Sequence, residues 1–150
     1  NLTLRFFIGP NASKSEFQFG AISFSDVVKK EFDLNKYTDS TQLYNAIRAI
    51  PYVGGFTYTN LAFDYIFNNT LFSKGRTAAP NIALLITDGI STYAAKTQIS
   101  AARVRDINVQ ILALGIGNNN KTTTELIGVT KNSSDVYNIA DFDSFKQIED

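Results

Sequence analysis

The residues of this chain that could do chemistry are oxygen-bearing side chains that follow apolar segments. One apolar run ends in Asp88 and Gly89, within the stretch "LLITDGIS". The chain contains no histidine and no cysteine. The divalent cations that suit the remaining oxygen donors are Mg²⁺, Ca²⁺ and Mn²⁺. Asp88 is therefore a candidate carboxylate ligand for a hard cation, although the same pattern is also typical of a turn residue or a helix cap.

Sequence motifs that would indicate an enzyme are missing or incomplete. There is no Gly-X-Ser-X-Gly segment and no histidine that could serve as the base of a catalytic triad. The stretch "GIGNNN" has two of the three glycines of a dinucleotide-binding fingerprint, but Asn120 occupies the third position. We interpret this stretch as a tight turn after a strand. The sequence therefore predicts a binding module rather than an enzyme.

Apolar strands and amphipathic helices alternate along the chain, which is the pattern of a doubly wound α/β sheet with right-handed crossovers. Continuous apolar runs predict parallel strands buried on both faces at 19–24, 82–86 and 109–114. An edge strand with lysines is predicted to precede the first helix, and a short strand to precede the last. Strands are predicted at 19–24, 27–34, 82–86, 109–114 and 136–139, and helices at 40–50, 60–70, 97–106, 122–129 and 143–149.

In such sheets, ligands bind at the edge where the parallel strands end. Asp88 is expected at this edge, together with the turns at 25–26 and 115–117. The loop that carries Thr57 and Thr59 contributes to the same edge if it folds over it. The helix of residues 60–70 is predicted to turn Leu61, Ala62, Tyr65 and Ile66 toward the core.

Composition bounds the class of protein. The chain has 150 residues, of which 44% are hydrophobic, and this suits one globular domain. The 14 basic and 14 acidic residues balance, which argues against a nucleic-acid partner because such partners need a basic surface. No apolar run approaches the roughly 18 residues of a membrane span, so no membrane insertion is expected.

Asparagine sequons point to the extracellular space. Five Asn-X-Ser/Thr motifs occur, all in predicted loops or at helix ends, whereas chance would supply about one or two. They favour a secreted glycoprotein, while the absence of cysteine leaves no disulfide framework that would support secretion independently. The candidate glycosylation sites are Asn11, Asn68, Asn120 and Asn132, with a fifth motif at Asn1.

The order of motifs over nearly the whole chain resembles the von Willebrand factor type A domain. The segments that carry the resemblance are "FGAISFSD", "KKEFDLNKY", "LYNAIRAIPYVGGFTYTNLAF", "PNIALLITDGIS", "VRDINVQILALGIG" and "VYNIADFDSF". The resemblance implies a mostly parallel central sheet with one antiparallel edge strand and helices on both faces. It also implies an extracellular adhesion or matrix module that binds another protein.

The family resemblance assigns roles to two residues. Thr57 is implied to supply a hydroxyl ligand and Asp88 a carboxylate ligand to one divalent cation, Mg²⁺ or else Mn²⁺ or Ca²⁺, in a metal-ion-dependent adhesion site. The resemblance implies that an acidic side chain of the partner completes the shell of the cation. It also suggests, as the partner, a matrix protein such as collagen or another adhesion protein. Thr59 is expected to orient the loop.

Two departures from the family pattern qualify these expectations. The Asp-X-Ser-X-Ser motif that ends the family's first strand is not found in the sequence, so residues 1–150 are expected to form a single domain that lacks this strand. Cation binding by these residues alone is then expected to be weak or absent. Asn60 also stands where the family usually has glycine. The alternative function is a structural matrix module that assembles through protein contacts without metal.

Overall fold

The computed structural model describes residues 16–69, 71–117 and 119–140. The sequons at Asn1 and Asn11 and the predicted last helix lie outside this part of the chain. Strands and helices alternate along it as expected. The strands are β1 (Ala21–Phe24), β2 (Val28–Phe32), β3 (Asn81–Thr87), β4 (Val109–Ile116) and β5 (Val136–Ile139). The α-helices are α1 (Ser40–Arg48), α2 (Thr59–Asn68), α3 (Ala94–Asp106) and α4 (Asn120–Thr130).

The strands form two sheets. Strands β3, β4 and β5 are parallel in that order, with Thr87 opposite Gly115 and Gly115 opposite Asn138. Strands β1 and β2 form a separate antiparallel pair. Within the described residues, no backbone ladder joins β1 to β3. The prediction of an α/β fold with a parallel sheet and an antiparallel edge is confirmed.

The main core lies between the parallel sheet and helices α2, α3 and α4. Alternate residues of β3 and β4 face these helices because successive side chains of a strand point to opposite faces. Helix α2 contributes Phe63, which is only 2% exposed. Other members of this cluster are Ile66, Ala83, Leu85, Ala101, Val104, Ile111, Ala113, Leu126 and Val129.

The opposite face of β3 is more exposed than predicted. The apolar run was expected to be buried on both faces, but Ile82, Leu84 and Ile86 are 44%, 50% and 49% exposed. Their neighbours Ala83 and Leu85 are buried against the helices. Within the described chain, β3 is therefore a strand with one buried face. Strand β1 also differs from its prediction, because its described partner β2 is antiparallel to it.

Helix boundaries follow local signals. Helix α1 begins after Asp39, whose side chain accepts a hydrogen bond from the backbone N–H of Gln42 at 3.0 Å, as expected of an N-cap. In α2 the predicted inner face is partly wrong: Leu61 is 37% exposed and Phe63 is buried in its place. Helix α4 begins at Asn120, two residues earlier than predicted.

The described residues include no helix with the length and apolar character that a membrane crossing requires.

Candidate metal centre at the edge of the sheet

Asp88 directly follows β3 at the edge where the parallel strands end. The turn after it is closed by the buried Thr87, whose hydroxyl donates to the carbonyl of Gly89 at 3.1 Å. Asp88 itself is exposed, and its carboxylate has no hydrogen-bond or ion-pair partner among the described residues. Helix α3 begins after Tyr93 without a side-chain cap. The interpretation of Asp88 as a helix cap is therefore wrong, and its carboxylate remains available to a ligand.

The Thr57 hydroxyl lies beside the Asp88 turn. Its oxygen is 3.9 Å from the position that a Cβ atom would occupy on Gly89. Thr57 and Asp88 line the same cleft, which has a volume of about 390 Å³ and lies between the ends of β1 and β3. The structure thus brings the two predicted ligand residues together, whereas their binding of a metal stays a prediction.

The other residues expected at this edge are placed differently. Thr59 is the first residue of α2 and is 2% exposed, which suits a role in holding the loop. Ser25 lines the cleft and is buried. The exposed Asp26 instead accepts a hydrogen bond from the backbone N–H of Phe56 at 2.7 Å. Residues 115–117 do not line the cleft.

The Thr57 loop is tied to the segment that follows Asp88. The backbone N–H of Thr57 donates to the hydroxyl of Thr92 at 3.1 Å, and the backbone N–H of Thr92 donates to the carbonyl of Thr57 at 2.9 Å. One residue earlier, the N–H of Ser91 donates to both carboxylate oxygens of Glu125, at 3.2 and 3.3 Å. These bonds connect the Thr57 loop, the Asp88 turn and helix α4.

A stack of aromatic rings lies at the same place. The rings of Phe56 and Tyr58 stack at a centroid distance of 5.4 Å, and those of Tyr58 and Tyr93 stack at 5.4 Å with an interplanar angle of 5°. The ammonium of Lys96 lies over the Tyr93 ring, 4.4 Å from its centroid. Desolvation raises the pKa of the Tyr58 phenol above its ordinary value, and the neighbouring Tyr93 raises it further.

The donors at the cleft fit a hard cation in kind but do not fill its shell. Thr57 and Asp88 offer one hydroxyl and one carboxylate, which are ligands that Mg²⁺, Mn²⁺ and Ca²⁺ accept. Mg²⁺ needs about six oxygen ligands. Within the described residues, no group of three or more acidic, histidine or cysteine side chains could hold a metal ion. Water or groups from elsewhere would have to supply the remaining ligands.

Three of the candidate glycosylation sites lie at the surface. Asn68 is at the end of α2, Asn120 is the first residue of α4, and Asn132 precedes a short 3₁₀ helix at Ser133–Asp135. All three are exposed. A glycan could reach each of them, although modification itself stays a prediction.

Sequence comparison decides the family. The profile of the von Willebrand factor type A domain matches residues 2–150. The chain belongs to this family. It is 31% identical over 153 residues to the human collagen alpha-6(VI) chain and 31% identical over 140 residues to the human collagen alpha-1(XX) chain. These matches cover 100% and 91% of this chain, but only 6% and 10% of the collagen chains.

Solved structures agree with this von Willebrand factor type A fold. Proximal thread matrix protein 1 from the mussel byssus, in a form with a zinc-occupied MIDAS motif, matches with a TM-score of 0.83 and 27% identity. That match covers 98% of this chain and 38% of the mussel chain. Manganese-loaded TRAP protein of Plasmodium vivax has the same fold, with a TM-score of 0.77 and 16% identity, over 99% of this chain and 61% of its own.

Proposed function

We propose that this domain is an extracellular adhesion or matrix module that binds a partner protein through a divalent cation held at Thr57 and Asp88. The observation that carries the proposal is the Asp88 carboxylate, which has no partner among the described residues and shares one cleft with the Thr57 hydroxyl. The related collagen chains and the zinc-occupied MIDAS motif of the mussel protein support a role in matrix or adhesion. The proposed role is binding and not catalysis.

Such a site works because the protein neutralises the charge of the cation only in part. One carboxylate leaves a divalent cation with net positive charge, and this charge attracts an acidic side chain of the partner. Mg²⁺ is the proposed cation, with Mn²⁺ or Ca²⁺ as substitutes, and residues 1–150 alone are expected to bind it weakly because they supply few ligands. The proposed partner is a matrix protein such as collagen, or an adhesion protein that presents a carboxylate.

The test compares Asp88→Ala and Thr57→Ala with the unmodified chain. We expect Asp88→Ala to abolish Mn²⁺ binding measured by paramagnetic resonance, and to abolish Mg²⁺-dependent capture on a collagen-coated surface. Thr57→Ala should weaken both less, because a neutral hydroxyl contributes less than a carboxylate. Asp88→Ala should lower the free energy of unfolding by only about 1 kcal/mol, since the exposed side chain makes few contacts.

The matched control is Asp106→Ala, which removes an exposed aspartate at the end of α3, away from the cleft. It should leave Mn²⁺ binding unchanged. A specific observation favours the alternative of a metal-free structural module, since the cleft offers few protein ligands. Capture that persists in the presence of a chelator and in Asp88→Ala would establish that alternative in place of our proposal.

A further inference from the structure

We infer that Thr92 and Tyr93 are positioning residues that fix the Thr57 hydroxyl at the cleft. The consequence for cation binding rests on the function proposed above, whereas the structural part can be tested without any metal. Both residues lie in the segment between the Asp88 turn and helix α3. Neither was expected from the sequence to take part in the site.

Apart from the hydrogen bond between the N–H of Phe56 and Asp26, few contacts hold the Thr57 loop. Residues 51–56, which lead into Thr57, are all exposed. Tyr52 is 95% exposed and Phe56 is 60% exposed, so burial of apolar surface contributes little to the order of this loop. Its conformation therefore depends on a few specific contacts.

Thr92 alone makes two of these contacts. Its hydroxyl accepts from the N–H of Thr57 and its own N–H donates to the carbonyl of Thr57. Both backbone groups of the candidate ligand residue are thereby fixed. The preceding Ser91 is bonded through its N–H to Glu125 of α4, so this clamp is itself connected to the helical layer of the domain.

The aromatic stack restricts the residues on both sides of Thr57. Phe56 and Tyr58 flank Thr57 in sequence, and their rings stack on each other and therefore lie on the same side of the loop. Because the two stacked rings belong to the residues before and after Thr57, the backbone between them has little freedom to turn. The Thr57 hydroxyl lies next to Gly89. Tyr93 extends the stack and connects it to the residue next to Thr92.

The first experiment measures amide hydrogen exchange of Thr57 in the full chain. Thr92→Val removes the acceptor for this N–H but keeps the shape of the side chain and its backbone contact. We expect the exchange rate of Thr57 to rise about fivefold, the effect of losing one hydrogen bond of ordinary net strength. Thr92→Ser retains the hydroxyl and should restore the exchange rate of the unmodified chain.

The ring contribution is tested with Tyr93→Leu, which removes the ring, and Tyr93→Phe, which retains it. We expect Tyr93→Leu to accelerate exchange of Thr57 and to raise the dissociation constant for Mn²⁺ alone by about tenfold, as for other residues that orient a ligand. Tyr93→Phe should change neither quantity. Tyr137→Leu is the matched control, because Tyr137 is an exposed tyrosine outside the cleft, and it should also change neither.

Two results would overturn the inference. Exchange of Thr57 that stays unchanged in both Thr92→Val and Tyr93→Leu would mean that these residues do not hold the loop. Faster exchange with unaltered Mn²⁺ affinity would mean that they hold the loop without positioning a ligand. If the unmodified chain binds no Mn²⁺ and its capture on collagen persists with a chelator, the proposed function fails. Amide exchange alone then decides whether Thr92 and Tyr93 fix Thr57.

Discussion

At the scale of single residues, the Thr57 loop depends on a position that only glycine suits. Gly55 has a φ of +131°, and a Cβ atom there would lie 2.8 Å from Oδ1 of Asp26. That same oxygen accepts the hydrogen bond of the Phe56 N–H. Gly55 thus allows the carboxylate of the β1–β2 turn to approach the backbone directly before Thr57.

This leads to a prediction for two adjacent glycines. Gly55→Ala should lower the free energy of unfolding by about 1–3 kcal/mol, since alanine is strained at this φ and its methyl group would displace Asp26. Gly54→Ala should change it by no more than about 0.5 kcal/mol, because a Cβ atom at Gly54 would meet nothing within 4 Å. Urea unfolding of the two variants measures the difference. Equal effects would show that the close approach of Asp26 does not constrain the loop.

Some residues of the candidate site could be predicted from the sequence and others could not. Asp88 was detectable because an apolar run ends in a carboxylate, and Thr57 was assigned through the family resemblance. Thr92 and Tyr93 were missed because their contacts with the Thr57 loop join residues about 35 positions apart, and no local pattern encodes such pairs. The alternation of aromatic residues and threonines in "FTYT" was an available signal, since it predicts two rings on one side of the loop.

At the scale of elements, the positions of the strands were easier to predict than the burial of their two faces. The continuous apolar run of β3 predicted a strand, and a strand is present. The run could not reveal that its two faces differ, because Ile82 and Leu84 are as apolar as the buried Ala83 and Leu85. Burial depends on which elements cover each face, and this information lies elsewhere in the chain. Tertiary packing therefore determined which face of β3 is buried, and the hydrophobic pattern of the sequence did not indicate it.

Strand β2 carries a pH-dependent contact that can be tested. Its Glu31 accepts hydrogen bonds from Lys29, at 2.8 Å, and from the hydroxyl of Ser23 on β1, at 2.7 Å. The Lys29 contact, followed by that of Ser23, lowers the pKa of the Glu31 carboxyl below its ordinary value. Because the folded state favours the ionised form, this contribution to stability is present above the unfolded pKa of about 4.3 and is lost as the pH falls through the lower folded pKa.

The expected result is a Glu31 carboxyl resonance that titrates below the ordinary glutamate range in an NMR pH series. Lys29→Ala should raise this pKa toward the ordinary value, because it removes the largest cause of the shift. Lys30→Ala is the control: this neighbouring lysine pairs with Asp33, so its loss should leave the Glu31 titration in place. An unshifted Glu31 in the unmodified chain would show that the contacts between β1 and β2 do not persist in solution.

At the scale of the whole molecule, the candidate site lies where two separate sheets approach each other. The cleft is bounded by Ile22–Phe24 of β1 on one side and by the end of β3 on the other. Its residues come from distant parts of the chain, so the site exists only when both sheets are packed in their native arrangement. The fold class followed from the alternation of elements, whereas the cleft depends on how the two sheets pack, which no local sequence pattern encodes. Because the chain spans 6% of one related collagen chain and 10% of another, its place in a matrix assembly is part of the proposal.

The extracellular part of the proposal makes a prediction about glycans. Asn68, Asn120 and Asn132 are exposed, and a glycan is attached to the amide nitrogen of asparagine. The side-chain oxygen of Asn68 accepts from Arg103 and that of Asn132 accepts from the N–H of Ser134, so both hydrogen bonds can persist after modification. Protein secreted from eukaryotic cells should therefore carry a glycan at one or more of these sites, detected as a mass shift that an N-glycosidase removes.

The same chain made in the bacterial cytoplasm is the control and should unfold at a similar temperature. If all three asparagines of the secreted protein are unmodified, the sequons give no support to an extracellular location, and that part of the proposal then rests on the related collagen chains alone.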